Sequence, residues 1–151
     1  MSRNFTLQSQ MLYEMSPGLL YIDEQENFNR LSAAVREIQP KVIILDCLAA
    51  CFGGDENDSR DMARFVGNVS QLRAENDASI VLVHHTRKTP SVSSFAEMAR
   101  GQSRLAGWVD TLVYMAQQPT GIQLQFMARQ ASRELHSVNI RFTGGIWERR
   151  E

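Results

Sequence analysis

The sequence predicts an α/β protein with a mainly parallel central sheet, followed by antiparallel C-terminal strands. Two observations carry this. Short runs rich in Val, Ile and Leu alternate with longer stretches whose apolar residues recur every three or four positions, the pattern of strands covered by helices. Toward the end, consecutive strand-like runs are separated only by short turn segments, including Gly144-Gly145, which favours antiparallel neighbours.

In order along the chain, residues 1–17 read as a polar segment, expected to be the remnant of a helix, and residues 18–23 (GLLYID) read as a first strand. Phe28, Leu31, Val35 and Ile38 mark one face of a helix that Pro40 ends. Residues 41–46 (KVIILD) follow as a strand without polar alternation, expected to be buried on both faces. The segment GGDENDS is turn chemistry, and Asp58 stands where it can cap a helix with Met62, Phe65, Val69 and Leu72 inward. A further strand spans residues 79–85 (SIVLVHH). Residues 86–98 are polar, contain Pro90, and read as a loop. A short helical turn at 100–107 leads to strands at 110–115, 122–129, 136–142 and 146–148.

With 151 residues, 43% apolar and 22% charged, the chain has room for one sizeable core. A net charge of -1 excludes a general basic field for nucleic acid or anionic membranes, so such contacts would need a local cluster. No run approaches the roughly 20 apolar residues of a membrane span. Cys47 and Cys51 are too few to staple a secreted scaffold, and with three histidines no four-ligand zinc pattern has the usual spacing. Two reduced thiols in a cytoplasmic protein are expected.

The chemistry concentrates at strand ends. A buried strand ending in Asp46 presents a carboxylate at the carboxyl edge of a doubly wound sheet, where ligands bind; the alternative is an Asp that merely caps a loop. The next strand ends in His84-His85, which cannot both face one way, and Thr-Arg-Lys follows. Then comes Ala99-Arg100-Gly101-Gln102-Ser103-Arg104-Leu105. An Asp, a His pair and arginines are the types needed for a metal, a polar γ-phosphate sensor and charge stabilisation. The acidic stretch 55–61 lacks the ligand alternation of a calcium loop and reads as solvated and capping charge. No G-x-S-x-G segment supports a hydrolase of the nucleophile-elbow kind.

Through KVIILD, FGGDENDS, SIVLVHHTRK, ARGQSRL and IRFTGGIWE, residues 19–148 resemble the RecA-like hexameric ATPases of the plasmid RepA type, relatives of the DnaB replicative helicases. The resemblance implies a P-loop NTPase fold of three layers, ATP with Mg2+, and hydrolysis at a subunit interface. It makes Asp46 the Walker B aspartate beside the metal. His85, with His84 as the alternative, becomes the sensor beside the nucleotide. Arg100 becomes a finger acting on a neighbour's nucleotide, in a segment that includes Ser103. On the later strand, Met127-Ala128-Arg129 keeps the arginine of the family's Lys-x-Arg pair and lacks its lysine. Arg100 and Arg129 read alternatively as solvated surface charges. The loop after the sensor strand lies where such motors contact single-stranded DNA, with Arg87 and Lys88 as its cations; an ordinary loop is the alternative.

The departure from the family is its phosphate-binding loop. Gly-x-x-x-x-Gly-Lys-Ser/Thr needs its lysine, and neither Lys41 nor Lys88 follows a glycine. Residues 18–151 therefore read as the C-terminal part of a RecA-like ATPase domain, and the isolated chain is expected to bind nucleotide weakly or not at all. Expected partners are a second copy or a Walker A-bearing chain, and no membrane. A non-catalytic module docking on a nucleotide-binding partner is the second reading.

Overall fold

A computed structural model describes residues 18–85, 103–129 and 136–150. The chain divides into two compact units, Met1–His85 and Thr86–Glu151. The order in the first is α1 (Gln25–Ile38), β1 (Val42–Asp46), α2 (Leu48–Cys51), α3 (Ser59–Asn76) and β2 (Ser79–Val83). The second holds α4 (Ser103–Trp108) and strands β3 (Thr111–Gln118), β4 (Gly121–Ala128), β5 (His136–Thr143) and β6 (Ile146–Arg150). The α/β class holds, with a parallel pair β1-β2 and a separate four-stranded antiparallel sheet β3-β4-β5-β6.

The two long helices form where the apolar spacing placed them. Phe28, Leu31 and Val35 of α1 are buried, as are Met62, Phe65, Val69 and Leu72 of α3. Ile38, at the end of α1, is exposed. Asp58 caps α3, its Oδ1 accepting from the backbone N–H of Arg60 at 2.6 Å and of Asp61 at 3.1 Å. That satisfies two of the four orphan donors of a helix N-terminus. Both helices end on a left-handed residue, Gln39 at φ 52° and Asp77 at φ 48°, whose N–H closes the last turn onto Val35 O and Arg73 O respectively. Each joint leads into a strand, and Ser79 N–H donates to Lys41 O at 2.9 Å where the two strands begin to pair. The Phe52 and Phe65 rings meet at a 5.4 Å centroid separation and bind the α2–α3 connection to the core.

Two expectations are corrected. Residues 18–23 form no strand: Leu20 N–H donates to Ala50 O and Ile22 N–H to Cys51 O, and the chain then turns. The apolar content of GLLYID serves burial all the same, since Ile22 is fully enclosed and Asn68 Nδ2 donates to its carbonyl at 2.7 Å. Nor is β1 buried on both faces. Ile43 and Leu45 point inward, while Val42 is 53% and Ile44 61% exposed. In the parallel register Ile44 lies beside Val81, itself 47% exposed, so one face of the pair is an open apolar strip.

In the second unit the strands predicted from the C-terminal runs are all present, each joined to the next in antiparallel register. Phe142 and Trp147 are register partners with ring centroids 5.2 Å apart.

Candidate functional site

The site is built by parallel pairing. The register that sets Asp46 opposite Val83 brings the carboxyl ends of β1 and β2 side by side, and the chain leaves β2 through His84 and His85. The two histidines part company there. His85 joins Asp46 and Cys47 in a cluster whose donor atoms, one carboxylate oxygen, the thiol sulfur and one imidazole nitrogen, all lie within 4.8 Å of one another. His84, largely enclosed, places Nε2 3.8 Å from Glu56 Oε2, an ion pair only when the imidazole is protonated. Both lie just past the last residue of β2, and their side chains diverge there.

Asp46 and His85 are exposed, and Cys47 is half-buried. Among the described residues no side-chain hydrogen bond or ion pair occupies any of the three. Cys47 is joined to Asp46 by a cis peptide bond, and its carbonyl accepts from Ala50 N–H. Cys51, one helical turn on, is buried. Its thiol is pushed up from the ordinary value, first by burial and then by the charges of Cys47 and Asp46. It therefore stays protonated and inert, while Cys47 faces the cluster.

Sequence reasoning missed Cys47 and Glu56. The signal for Cys47 is its position next to Asp46 at the end of β1; the expectation of two plain reduced thiols gives it no role there. Glu56 was grouped with its acidic neighbours, most of which are consumed locally. Asp55 Oδ1 accepts from Asn57 N–H at 2.8 Å, Asp61 Oδ2 accepts from Asp55 N–H at 3.2 Å, and Asp58 caps α3. Capping and turn formation account for these three carboxylates.

In the second unit, Arg129 is exposed, its Nη2 donates to Gly107 O, and its backbone N–H donates to Asp110 O at 2.9 Å. Ser103 opens α4. Arg87, Lys88 and Arg100 lie outside the described residues. That unit also carries an open groove of about 580 Å³ at the β3–β4 turn, beside Met115, Phe142 and Trp147, with Arg141 the one charged lining residue among the described residues. No helix among the described residues is long and apolar enough to cross a membrane.

The carboxylate at a strand end, a histidine just past the end of the neighbouring strand and the covering helices form an arrangement suited to holding a nucleotide's metal and sensing its phosphate. Comparison with curated proteins gives no match. A protein-family model described as an AAA domain matches residues 3–91, the stretch that contains both β1 and β2 and all three clustered residues. Because this match spans more than half of the 151 residues, the chain belongs to the AAA domain family, an ATPase-type P-loop domain.

Proposed function

We propose that the chain is the C-terminal part of a RecA-like ATPase domain of the plasmid RepA and DnaB helicase type, a motor that hydrolyses ATP between subunits. The observation that carries the reading is the meeting of Asp46 and His85 at adjacent carboxyl strand ends, inside the matched family segment. The exposed Asp46 carboxylate, free of hydrogen bonds among the described residues, suits a hard cation that prefers oxygen donors and keeps much of its water. When bound, Mg2+ supplies charge neutralisation at the β- and γ-phosphates. Asp46 holds that cation through oxygen, His85 presents a hydrogen-bonding nitrogen beside it, and Arg100 and Arg129 serve a neighbouring subunit's nucleotide. Arg87 and Lys88 contact single-stranded DNA.

The 151 residues contain no Gly-x-x-x-x-Gly-Lys-Ser/Thr cradle, so the chain alone does not turn over ATP. Phosphate release with and without single-stranded DNA tests this. Sustained turnover abolished by Asp46→Asn would show an unrecognised phosphate site. In an assembly with a partner bearing the Gly-Lys-Ser/Thr loop, Arg100→Ala should cut turnover about 10³-fold, as for other arginine fingers, with nucleotide binding largely kept.

The open apolar strip of Val42, Ile44 and Val81 favours a second reading, a non-catalytic module docked on a nucleotide-binding partner. Under that reading the assembly's turnover survives Asp46→Asn.

A further inference from the structure

The donor set at the mouth of the parallel pair is mixed. Magnesium is satisfied by oxygen, whereas a thiol and an imidazole side by side are ligands for borderline and soft ions. A tetrahedral zinc ion, with bonds of about 2.3 Å to sulfur and about 2.0 Å to nitrogen or oxygen, separates its ligand atoms by about 3.5 Å. Here the three atoms already lie within 4.8 Å. Asp46 and His85 are exposed, so no core packing holds their side chains at the wider separation. One carboxylate, one thiolate and one neutral imidazole also carry two negative charges, which match a divalent ion.

We propose that Asp46, Cys47 and His85 form a three-ligand site for a divalent metal of the Zn2+ class, with a fourth position left to water. The ion takes Cys47 as the thiolate, and the displaced thiol proton goes to solvent. Cys47 is the residue that sets the class of ion. Serine in its place leaves an oxygen-nitrogen site that no longer discriminates in favour of zinc. Cys51 takes no part, because it is buried and its thiol is held protonated. His84 takes no part either, since it faces Glu56. The site needs no phosphate, but it shares Asp46 and His85 with the proposed nucleotide site, so the two occupancies exclude one another and are tested separately.

The test uses the reduced 151-residue chain without ATP. Co2+ is titrated while the near-ultraviolet thiolate-to-cobalt charge-transfer band and the visible bands of tetrahedral cobalt are recorded, and Zn2+ is then added in competition. The expected result is one equivalent bound, with both sets of bands present and displaced by Zn2+. Cys47→Ser should abolish the charge-transfer band and weaken Zn2+ by more than about 100-fold, beyond what loss of an outer-shell partner costs. His85→Ala and Asp46→Asn should weaken binding while keeping the band at saturating cobalt. Circular dichroism checks that each variant folds. Zinc-edge X-ray absorption of the unsubstituted chain, which should show one sulfur and three nitrogen or oxygen neighbours, decides the matter even if Cys47→Ser does not fold. Absence of the charge-transfer band in the unsubstituted chain, its survival in Cys47→Ser, or a first shell without sulfur overturns the proposal. None of these outcomes bears on whether Asp46 serves a nucleotide.

Discussion

Cys47 and Cys51 lie one helical turn apart and have opposite chemistry, because one thiol opens toward the strand ends and the other is enclosed by the core. Iodoacetamide should label Cys47 first and reach Cys51 only on unfolding, which peptide mapping over a time course reads directly; equal rates would contradict the burial of Cys51. A thiol whose value is raised in the folded chain stabilises it fully below the unfolded thiol's titration, and the contribution is lost as pH rises through the folded value. Glu75 behaves in the opposite sense. Hydrogen bonds from Gln71 and Arg36 hold its carboxyl below the ordinary 4.5, so its contribution is present above that value and lost as pH falls through the lower folded one. Glu75→Gln should flatten the acid limb of a stability-against-pH curve. Ser32 is buried and its hydroxyl has no hydrogen-bond partner among the described residues, so Ser32→Ala should raise stability by about 1 kcal/mol in urea unfolding. Phe65→Ala, which empties a fully enclosed site against Phe52, should cost about 3–5 kcal/mol.

At the scale of elements, what was legible in the sequence was whatever rests on local periodicity or capping. Helix α3 is the clearest case, with its four buried residues and its Asp58 cap both readable from spacing alone. Asp58→Ala should lower stability by about 1 kcal/mol, measured by thermal or urea unfolding. Legibility failed where an apolar run has two physical outlets. GLLYID is apolar enough for a strand, yet it forms no ladder, burying Ile22 and hydrogen-bonding to the α2 segment instead. Between Lys41 and Asp46 the run VIIL carries no polar residue to mark an outward face, and only the structure reveals that Val42 and Ile44 point outward. In the candidate site, Asp46 and His85 were readable because strand ends collect ligands. Cys47 was not, since its donor role depends on a neighbour from another strand. Within the antiparallel sheet, Gly121 has φ +148°, and a Cβ there would stand 2.2 Å from Ile140 O. Gly121→Ala should therefore break the β4–β5 pairing, seen as loss of amide-exchange protection in residues 122–126.

For the whole molecule, an open strip of branched side chains on a two-stranded sheet is an invitation to association. We expect a dimer or larger species at micromolar concentration, with Ile44→Lys moving the population toward monomer in sedimentation. Because Ile44 is 61% exposed, that substitution should change monomer stability by less than about 0.5 kcal/mol. A concentration-independent monomer would exclude this face as a contact between copies. The paired helix-to-strand joints at Gln39 and Asp77 carry a different consequence. Both positions hold residues with a Cβ in a backbone conformation that glycine adopts without steric penalty. Gln39→Gly and Asp77→Gly should each raise the melting temperature, by an amount corresponding to about 0.5–1 kcal/mol once glycine's greater freedom in the unfolded chain is deducted. The natural sequence thus sits below the thermal tolerance its own backbone permits, and two exposed joints at the opposite ends of β1 and β2 from Asp46 and His85 are where an engineer could recover it.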